Sequence, residues 1–119
     1  MILTLLAATM ALCPAQGKRF ECVHDADTVW IDGTKLRLEN IDTAELNGKC
    51  RYERDLAVEA RDRLVVLLNR GERKVIYSGR IDRYDRPLVR ITVDGVDVGE
   101  VLVEEGLARR WTGRRMPWC

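Results

Sequence analysis

Carboxylate and arginine side chains recur in three short segments of this chain. The first is Asp25-Ala26-Asp27-Thr28, the second runs from Arg37 to Glu45, and the third is Asp82-Arg83-Tyr84-Asp85-Arg86. Hydrolysis of a phosphodiester needs a base that takes a proton from water and cations that neutralise charge developing on the phosphate oxygens. Carboxylates also hold the divalent cations that assist this reaction. The segments together predict phosphodiester hydrolysis.

Each of these residues also has an ordinary explanation. Asp and Thr are common in turns near strand ends, and Arg37 on the outer face of a strand would pair with an acid such as Glu39. Charged residues mostly lie on solvated faces of a protein. Residue types and spacing alone therefore leave the hydrolase as one of several options.

Short strands and two helices are predicted around the three segments. Residues 35–41 alternate polar with apolar side chains, as a half-buried strand does. Asp32-Gly33 and Asp94-Gly95 are typical hairpin turns. Apolar residues at spacings of three and four predict a helix over 52–69, and a shorter helix is expected over 99–105. About five strands with two helices predict an α+β, mainly β fold: a five-stranded Greek-key barrel of the oligonucleotide-binding type.

Length and charge limit the remaining possibilities. The chain has 119 residues, of which 46% are hydrophobic, which predicts one domain with its own core. The net charge is only +1, so any attraction to nucleic acid must come from local patches. Nothing in the sequence requires more than a monomer.

Residues 1–17 contain no charged side chain, whereas the chain beyond them is rich in charge. The apolar run within this segment, residues 2–15, is too short to span a bilayer as a helix and fits a secretory signal peptide. We therefore expect a signal peptide over 1–15, a folded domain over 18–119, a secreted or periplasmic location and no stable membrane association. The alternatives are a buried first strand or an N-terminal helix.

The chain contains four cysteines, and loss of residues 1–15 would leave Cys22, Cys50 and Cys119. Three cysteines in an oxidising compartment allow one disulfide, in three possible pairings, and leave one thiol. A bond to Cys119 would tie down the end of the chain. The spacing of cysteines and the single histidine, His24, argue against a structural zinc site.

The three segments resemble the signature segments of the staphylococcal-nuclease (thermonuclease) family. The segment 94–95 and the segment 102–108 resemble the last hairpin and the following helix of that family. The resemblance extends from about Val23 to Ala108. It implies an oligonucleotide-binding-type barrel and calcium-dependent cleavage of DNA and RNA that leaves 3′-phosphate ends.

The resemblance also implies a role for each matching position. It makes Glu45 the general base and Arg37 and Arg86 the arginines that bind the scissile phosphate. The remaining implied roles are calcium ligation by Asp27, Asp42 and the Thr43 carbonyl, substrate contact by Tyr84 and the adjacent Arg83, and an acid beside the metal at Asp25. In the same family, barrels without activity bind nucleic acid or protein, and this is the principal alternative.

Three positions depart from the family pattern. Ala26 and Asp85 replace glycines, and Ala44 replaces a proline just before the predicted base. The C-terminal residues 108–119 are basic and aromatic, where the best-known family member continues into a third helix. We expect Trp111 to pack over the core there, with nucleic-acid binding by the arginines as the second interpretation. A small disulfide-stapled inhibitor or structural protein would explain the cysteines but not the ordered acids and arginines.

Overall fold

Nine strand segments and two helices follow one another along residues 9–119, the part of the chain that this computed structural model describes. In chain order they are β1 (Ala11–Leu12), β2 (Cys22–Asp25), β3 (Thr28–Ile31), β4 (Thr34–Leu38), β5 (Ile41–Asp42), α1 (Arg51–Leu68), β6 (Arg73–Ile81), β7 (Pro87–Val93), β8 (Val96–Asp97), α2 (Val98–Glu104) and β9 (Arg109–Arg110). The longer strands β2, β3, β4, β6 and β7 correspond to the five predicted ones. β8 follows the predicted turn at Asp94-Gly95, and the strand predicted over 35–41 ends at Leu38, with Ile41 in the separate β5. β1 and β9 were not predicted as strands, because pairing over two residues leaves no periodic pattern in a sequence.

The strands form a mixed, curled sheet and a small second sheet. The order in the main sheet is β1-β2-β3-β4-β7-β6. β8 pairs with the last two residues of β7, and β5 pairs with β9 in the second sheet. β1 with β2 and β4 with β7 are parallel, and the other pairs are antiparallel. Together with α1 and α2, this sheet confirms the predicted α+β, mainly β fold of the oligonucleotide-binding type.

Both predicted hairpin turns form as expected. Asp32 and Gly33 have φ angles of 51° and 74°, and Asp94 and Gly95 have φ angles of 50° and 82°. Two successive residues with positive φ match the twist of the flanking strands, and Asp and Gly adopt this backbone at low cost. The first turn sets the register in which Thr28 faces Arg37 across β3 and β4.

The core lies between the curled sheet and the two helices. Leu36 and Leu38 of β4, Leu64 of α1 and Leu102 of α2 are all at most 1% exposed. The polar residue between the two β4 leucines, Arg37, therefore points to the opposite face of the sheet. No helix in residues 9–119 is long and apolar enough to cross a membrane.

The segment predicted as a signal peptide lies partly outside the described residues, which begin at 9. Its described part contributes to the fold: Met10 is 1% exposed within the core, and β1 pairs with β2. This arrangement resembles the alternative in which the apolar segment supplies a first strand. Removal of residues 1–15 stays a prediction, and it would also remove these contacts.

Two disulfides are present, Cys13–Cys22 and Cys50–Cys119, and no cysteine within residues 9–119 is free. Of the three pairings that the sequence left open, Cys50–Cys119 is the one that forms. In the chain described here no thiol is left over, because parallel pairing of β1 with β2 brings Cys13 to Cys22.

Candidate active site

A cleft of about 930 Å³ contains most of the predicted site residues. Six of the eight line it: Asp27, Arg37, Glu45, Arg83, Tyr84 and Arg86. The other two, Asp42 and Thr43, do not line the cleft and are buried, with 3% and 2% of their surface exposed. The fold therefore brings together residues from the β2–β3 turn, from β4, from the loop after β5 and from the β6–β7 turn.

Asp27 and Arg37 form a nearly buried ion pair. Asp27 lies in the turn before β3, and its carbonyl accepts a hydrogen bond from the Leu38 amide at 2.9 Å. Arg37 Nη1 lies 3.5 Å from Asp27 Oδ2, with the two side chains 13% and 12% exposed, and it also donates to the Leu38 carbonyl. The ordinary alternative, a solvated Arg37 paired with Glu39, does not describe this geometry, since Glu39 pairs with Arg80 and Arg90.

Arg86 is fixed by Asp82 at the start of the β6–β7 turn. The Asp82 carboxylate accepts hydrogen bonds from the amides of Tyr84 and Arg86 at 2.9 and 3.0 Å and from Arg86 Nε at 2.7 Å. Arg86 Nη1 then donates to the Thr28 hydroxyl at 3.2 Å, which donates to Asp27 Oδ1 at 2.9 Å. Two hydrogen bonds and the Asp27–Arg37 ion pair thus connect the two arginines through Thr28 and Asp27.

The tip of the same turn presents an aromatic ring. Tyr84 is 65% exposed, and the guanidinium carbons of Arg83 and Arg86 lie 5.0 and 5.4 Å from its ring centre. Asp85 has a φ angle of 60°, so it adopts the left-handed backbone for which the family uses glycine. Asp tolerates this backbone better than most residues. The substitution of Asp85 for glycine therefore preserves the turn.

Glu45 is positioned by a buried carboxylate that the sequence did not single out. Glu53, in the first turn of α1, is 7% exposed and accepts hydrogen bonds from the backbone amides of Glu45 and Lys49 at 3.1 and 3.2 Å. A Cβ atom at Gly48 would lie 2.4 Å from Glu53 Cδ, so the loop needs glycine there. An acid in the first helical turn is a weak signal for this role, because helix N-termini favour acids in general.

The acids of the site differ in charge state. Burial raises the pKa of Asp25 to about 8, and the nearby charge of Asp27 adds to the effect. Burial alone would raise the pKa of Asp27, but the Arg37 charge and hydrogen bonds hold it below its usual value. Burial raises the pKa of Asp42 despite the opposing charges of Arg115 and Arg37. Near neutral pH, Asp25 is therefore mostly protonated while Asp27 carries a negative charge.

The oxygen atoms around Asp27, Asp42 and Thr43 suit a hard cation. Asp42 Oδ1 is buried and has no hydrogen-bond partner among residues 9–119. Two carboxylates and a backbone carbonyl, completed by water, are ligands that calcium accepts. No group of three or more His, Cys, Asp or Glu side chains within the described residues could hold a metal. Any cation here would therefore depend on few protein ligands.

The residues predicted for the site did not include Arg115, which reaches the site from the C-terminal tail. Arg115 Nη2 lies 2.8 Å from Glu45 Oε1 and 3.3 Å from the Thr43 carbonyl oxygen, and Nη1 lies 3.6 Å from Asp42 Oδ1. One guanidinium therefore contacts the predicted base and two predicted metal ligands. The only hint in the sequence was the basic character of the tail, which does not distinguish Arg115 from its neighbours.

The two tail tryptophans differ in burial, and Trp111 is not where it was expected. Trp111 is 43% exposed and lines the cleft, so the prediction that it packs over the core was wrong. Trp118 is the buried one, at 9% exposed, against Ala44 and Ala57. The reason is that the tail folds back toward α1, where Cys119 bonds Cys50. The small side chain of Ala44, where the family has proline, lies in this contact.

A comparison with family models identifies this architecture. The model described as "Staphylococcal nuclease homologue" matches residues 35–116, which is more than half of the chain. This chain belongs to that family. The match includes Arg37, Glu45 and Arg86 but begins after Asp27, so the placement of Asp27 rests on the structure. A search of curated proteins gave no match.

Proposed function

We propose that this protein is a calcium-dependent nuclease that hydrolyses phosphodiester bonds in DNA and RNA. Membership of the staphylococcal nuclease family makes the domain a nuclease-like or nucleic-acid-binding barrel. The observation that supports catalysis is the convergence of Glu45, Arg37 and Arg86 on one cleft, next to Asp27. A barrel that only bound nucleic acid would need the arginines but would not need the acids.

Each of the three groups has a task in this proposal. The Glu45 side chain is 44% exposed, so its carboxylate is open to a water molecule in the cleft and takes a proton from it. Arg37 and Arg86 donate hydrogen bonds to the phosphate oxygens as their negative charge grows. Both guanidiniums are held in place before substrate arrives, Arg37 by Asp27 and Arg86 by Asp82. This preorganisation limits the rearrangement needed during the reaction.

Asp27, Asp42 and the Thr43 carbonyl would hold the calcium ion. When bound, calcium supplies positive charge that stabilises the phosphate oxygens and favours deprotonation of water. Asp27 contributes a carboxylate that is already ionised, because Arg37 and its hydrogen bonds lower its pKa. Asp42 contributes an oxygen that lacks a hydrogen-bond partner in the described chain.

The rim of the cleft would receive the nucleotides beside the scissile bond. Tyr84 offers an exposed ring for base stacking, and Arg83 lies over that ring with a charge for a neighbouring phosphate. Trp111 is a second exposed aromatic side chain in the same cleft. Stacking does not discriminate among bases, which agrees with cleavage of both DNA and RNA. We further propose that the protein acts as a monomer and is secreted or periplasmic.

A second candidate is a catalytically weak or inactive barrel that binds nucleic acid or protein. One observation favours it: Arg115 contacts Glu45 and Asp42, and so engages the proposed base and a proposed ligand. An inactive barrel would keep such an ion pair permanently. A nuclease must open it in order to use both acids.

Cleavage assays separate the two candidates. Plasmid and single-stranded DNA are incubated with the purified protein in calcium and then in chelator. We expect cleavage only with calcium and a loss of about 100- to 1,000-fold in Glu45→Gln, because that change removes the base and keeps the shape of the side chain. Glu59→Gln, at an exposed position of α1, is the matched control and should retain activity. DNA binding without calcium-dependent cleavage would favour the inactive barrel.

A further inference from the structure

The guanidinium of Arg115 lies where a cation is expected. It is within 3.6 Å of Asp42 Oδ1 and 3.3 Å of the Thr43 carbonyl oxygen, and it is 2.8 Å from Glu45 Oε1. Two of these oxygens belong to proposed calcium ligands and the third belongs to the proposed base. The inference therefore rests on the proposed function.

The tail holds Arg115 in this place from both sides. Before it, β9 pairs with β5, so that Arg109 lies opposite Asp42, and the Trp111 amide donates to the Asn40 carbonyl at 3.0 Å. After it, Trp118 is buried and Cys119 is bonded to Cys50. The segment between these anchors is short, which restricts the positions that the Arg115 side chain can reach.

The tail is also braced internally. The Arg109 guanidinium carbon lies 3.7 Å from the centre of the Trp118 ring, and Arg109 Nη1 donates to the Pro117 carbonyl at 3.0 Å. Cation–π contact and a hydrogen bond thus join the start of the tail to its end. Arg115 lies inside this closed loop, so the fold keeps its backbone beside the site. The side chain that reaches from there to the site is half-exposed and can still move.

A guanidinium and a divalent cation compete for the same oxygens. Both neutralise the Asp42 carboxylate, whose side chain is only 5% exposed, and positive charges at that distance repel one another. The Arg115 side chain is 46% exposed, so it has room to turn outward into solvent. Binding of a metal to Asp42 and the Thr43 carbonyl therefore requires Arg115 to withdraw.

We propose that Arg115 is a built-in competitor for the calcium site, which sets the calcium concentration at which the site fills. In the absence of metal it neutralises Asp42 and holds the Glu45 carboxylate. Displacement of Arg115 by calcium frees Glu45 at the same moment, so that the base becomes available only when the cation is bound. The same residue thus connects metal binding to the activation of the base.

Calcium titration measures this competition without relying on activity. Isothermal titration calorimetry with calcium chloride is carried out on the full chain, on Arg115→Ala and on Arg114→Ala. Arg114→Ala removes the same charge as Arg115→Ala, but Arg114 is exposed and has no side-chain partner within residues 9–119. We expect Arg115→Ala to bind calcium about 10-fold more tightly, after allowance for solvent screening of a half-exposed charge. Arg114→Ala should change the affinity by less than about two-fold.

The outcomes distinguish this inference from the proposed function. Equal calcium affinity in wild type and Arg115→Ala, with cleavage retained, would overturn the competition but leave the nuclease intact. If neither protein binds calcium, both proposals fail. If only Arg115→Ala binds calcium, the competition is supported in its strongest form, and wild type would then resemble the inactive barrel.

A second pair of variants tests the part played by the tail. Arg115→Lys keeps the charge but cannot bridge three oxygens from one planar group, so we expect an affinity between those of wild type and Arg115→Ala. Replacement of Cys50 and Cys119 together by serine loosens one anchor and should also tighten calcium binding, by a smaller factor. Weaker calcium binding in either variant would contradict the proposal.

Discussion

Two arginine–carboxylate pairs lie in the same cleft but belong to different parts of the fold. Arg37 and Asp27 come from a strand and the adjoining turn, and their side chains are 13% and 12% exposed. Arg115 and Glu45 come from the tail and a loop, and their side chains are 46% and 44% exposed. The shorter distance belongs to the more exposed pair, at 2.8 Å against 3.5 Å. Distance alone would therefore misjudge which pair the fold depends on.

Burial determines what each pair is able to do. A buried ion pair is costly to break, because the remaining charge has neither water nor partner. An exposed pair exchanges its partner for water at little cost. In the Arg37–Asp27 pair, which we call the strand-borne pair, Asp27 is therefore suited to keeping the Arg37 guanidinium in one position for a phosphate. In the Arg115–Glu45 pair, which we call the tail-borne pair, the two side chains can separate when substrate or metal binds.

The largest difference between the two pairs should appear when each arginine is removed. We expect Arg37→Ala to lower the free energy of unfolding by about 3 kcal/mol, because Asp27 is left buried without its cation. Its cleavage rate should fall by about 100- to 1,000-fold through loss of a transition-state donor. Arg115→Ala should cost less than about 1 kcal/mol in stability. Urea unfolding and initial cleavage rates measure these effects.

The control for Arg37→Ala is the double variant with Asp27→Ala, which removes both charges. If the buried charge is the cause, the double variant should be no less stable than Arg37→Ala. Equal losses of stability in Arg37→Ala and Arg115→Ala would show that burial does not separate the two pairs.

The two disulfides close loops of very different length. Cys50–Cys119 joins residues 69 apart, whereas Cys13–Cys22 joins residues 9 apart. Because a longer closed loop restricts the unfolded chain more, replacement of Cys50 and Cys119 by serine should cost about 2 to 4 kcal/mol in unfolding free energy. The matching replacement of Cys13 and Cys22 should cost less. Thermal and urea unfolding of both double variants test this ranking.

DNA cleavage should survive the loss of the Cys50–Cys119 disulfide. Loss of Cys50–Cys119 releases the tail but leaves the Asp27–Arg37 pair in its strands. Below the unfolding transition, the variant should therefore still cleave DNA. A folded variant that does not cleave DNA would show that the tail is part of the catalytic geometry. The Arg37–Asp27 pair would then not be sufficient without the tail.

The position of Arg37 in its strand was predictable from the sequence, whereas the position of Arg115 in the tail was not. Asp32-Gly33 fixes the hairpin, and the alternation around Arg37 fixes its face, so local rules place this arginine. The position of Arg115 depends on a β5–β9 pairing of two residues and on a disulfide over 69 residues. Neither leaves a local pattern, since both are long-range contacts between short segments.

The same contrast explains the errors about the tail. The sequence does not show which of Trp111 and Trp118 is buried. In the structure it is Trp118, next to the Cys119 that is bonded to Cys50. Glu53 was missed for a related reason, because a helix N-terminus favours acids whether or not they bind a loop. The family resemblance supplied the residues that match its motifs but gave no information about the contacts peculiar to this tail.

We expect the smallest effect on stability at Asp82, which holds Arg86 in the turn between β6 and β7. Burial opposes ionisation, but hydrogen bonds from the backbone amides of Arg86 and Tyr84 and from the Arg86 guanidinium lower the pKa of Asp82 below its ordinary value of 3.8. A lowered pKa in the folded state contributes stability above about pH 4, and this contribution is lost as the pH falls through the folded-state pKa. Asp82→Asn should therefore be less stable than wild type near pH 7, and the difference should shrink toward zero on acidification.

Asp85→Asn is the matched control for Asp82→Asn, because it changes the same charge in the same turn and Asn tolerates the left-handed backbone. In urea unfolding near pH 7, Asp85→Asn should lose less stability than Asp82→Asn, because it leaves the hydrogen bonds from Arg86 to Asp82 in place. Asp82→Asn should also lose about 10-fold in cleavage rate, since the amide no longer holds the Arg86 guanidinium by a charge-assisted bond. A stability difference for Asp82→Asn that is independent of pH would mean that Arg86 is held by the backbone of its turn, and Asp82 would then have only a local structural role.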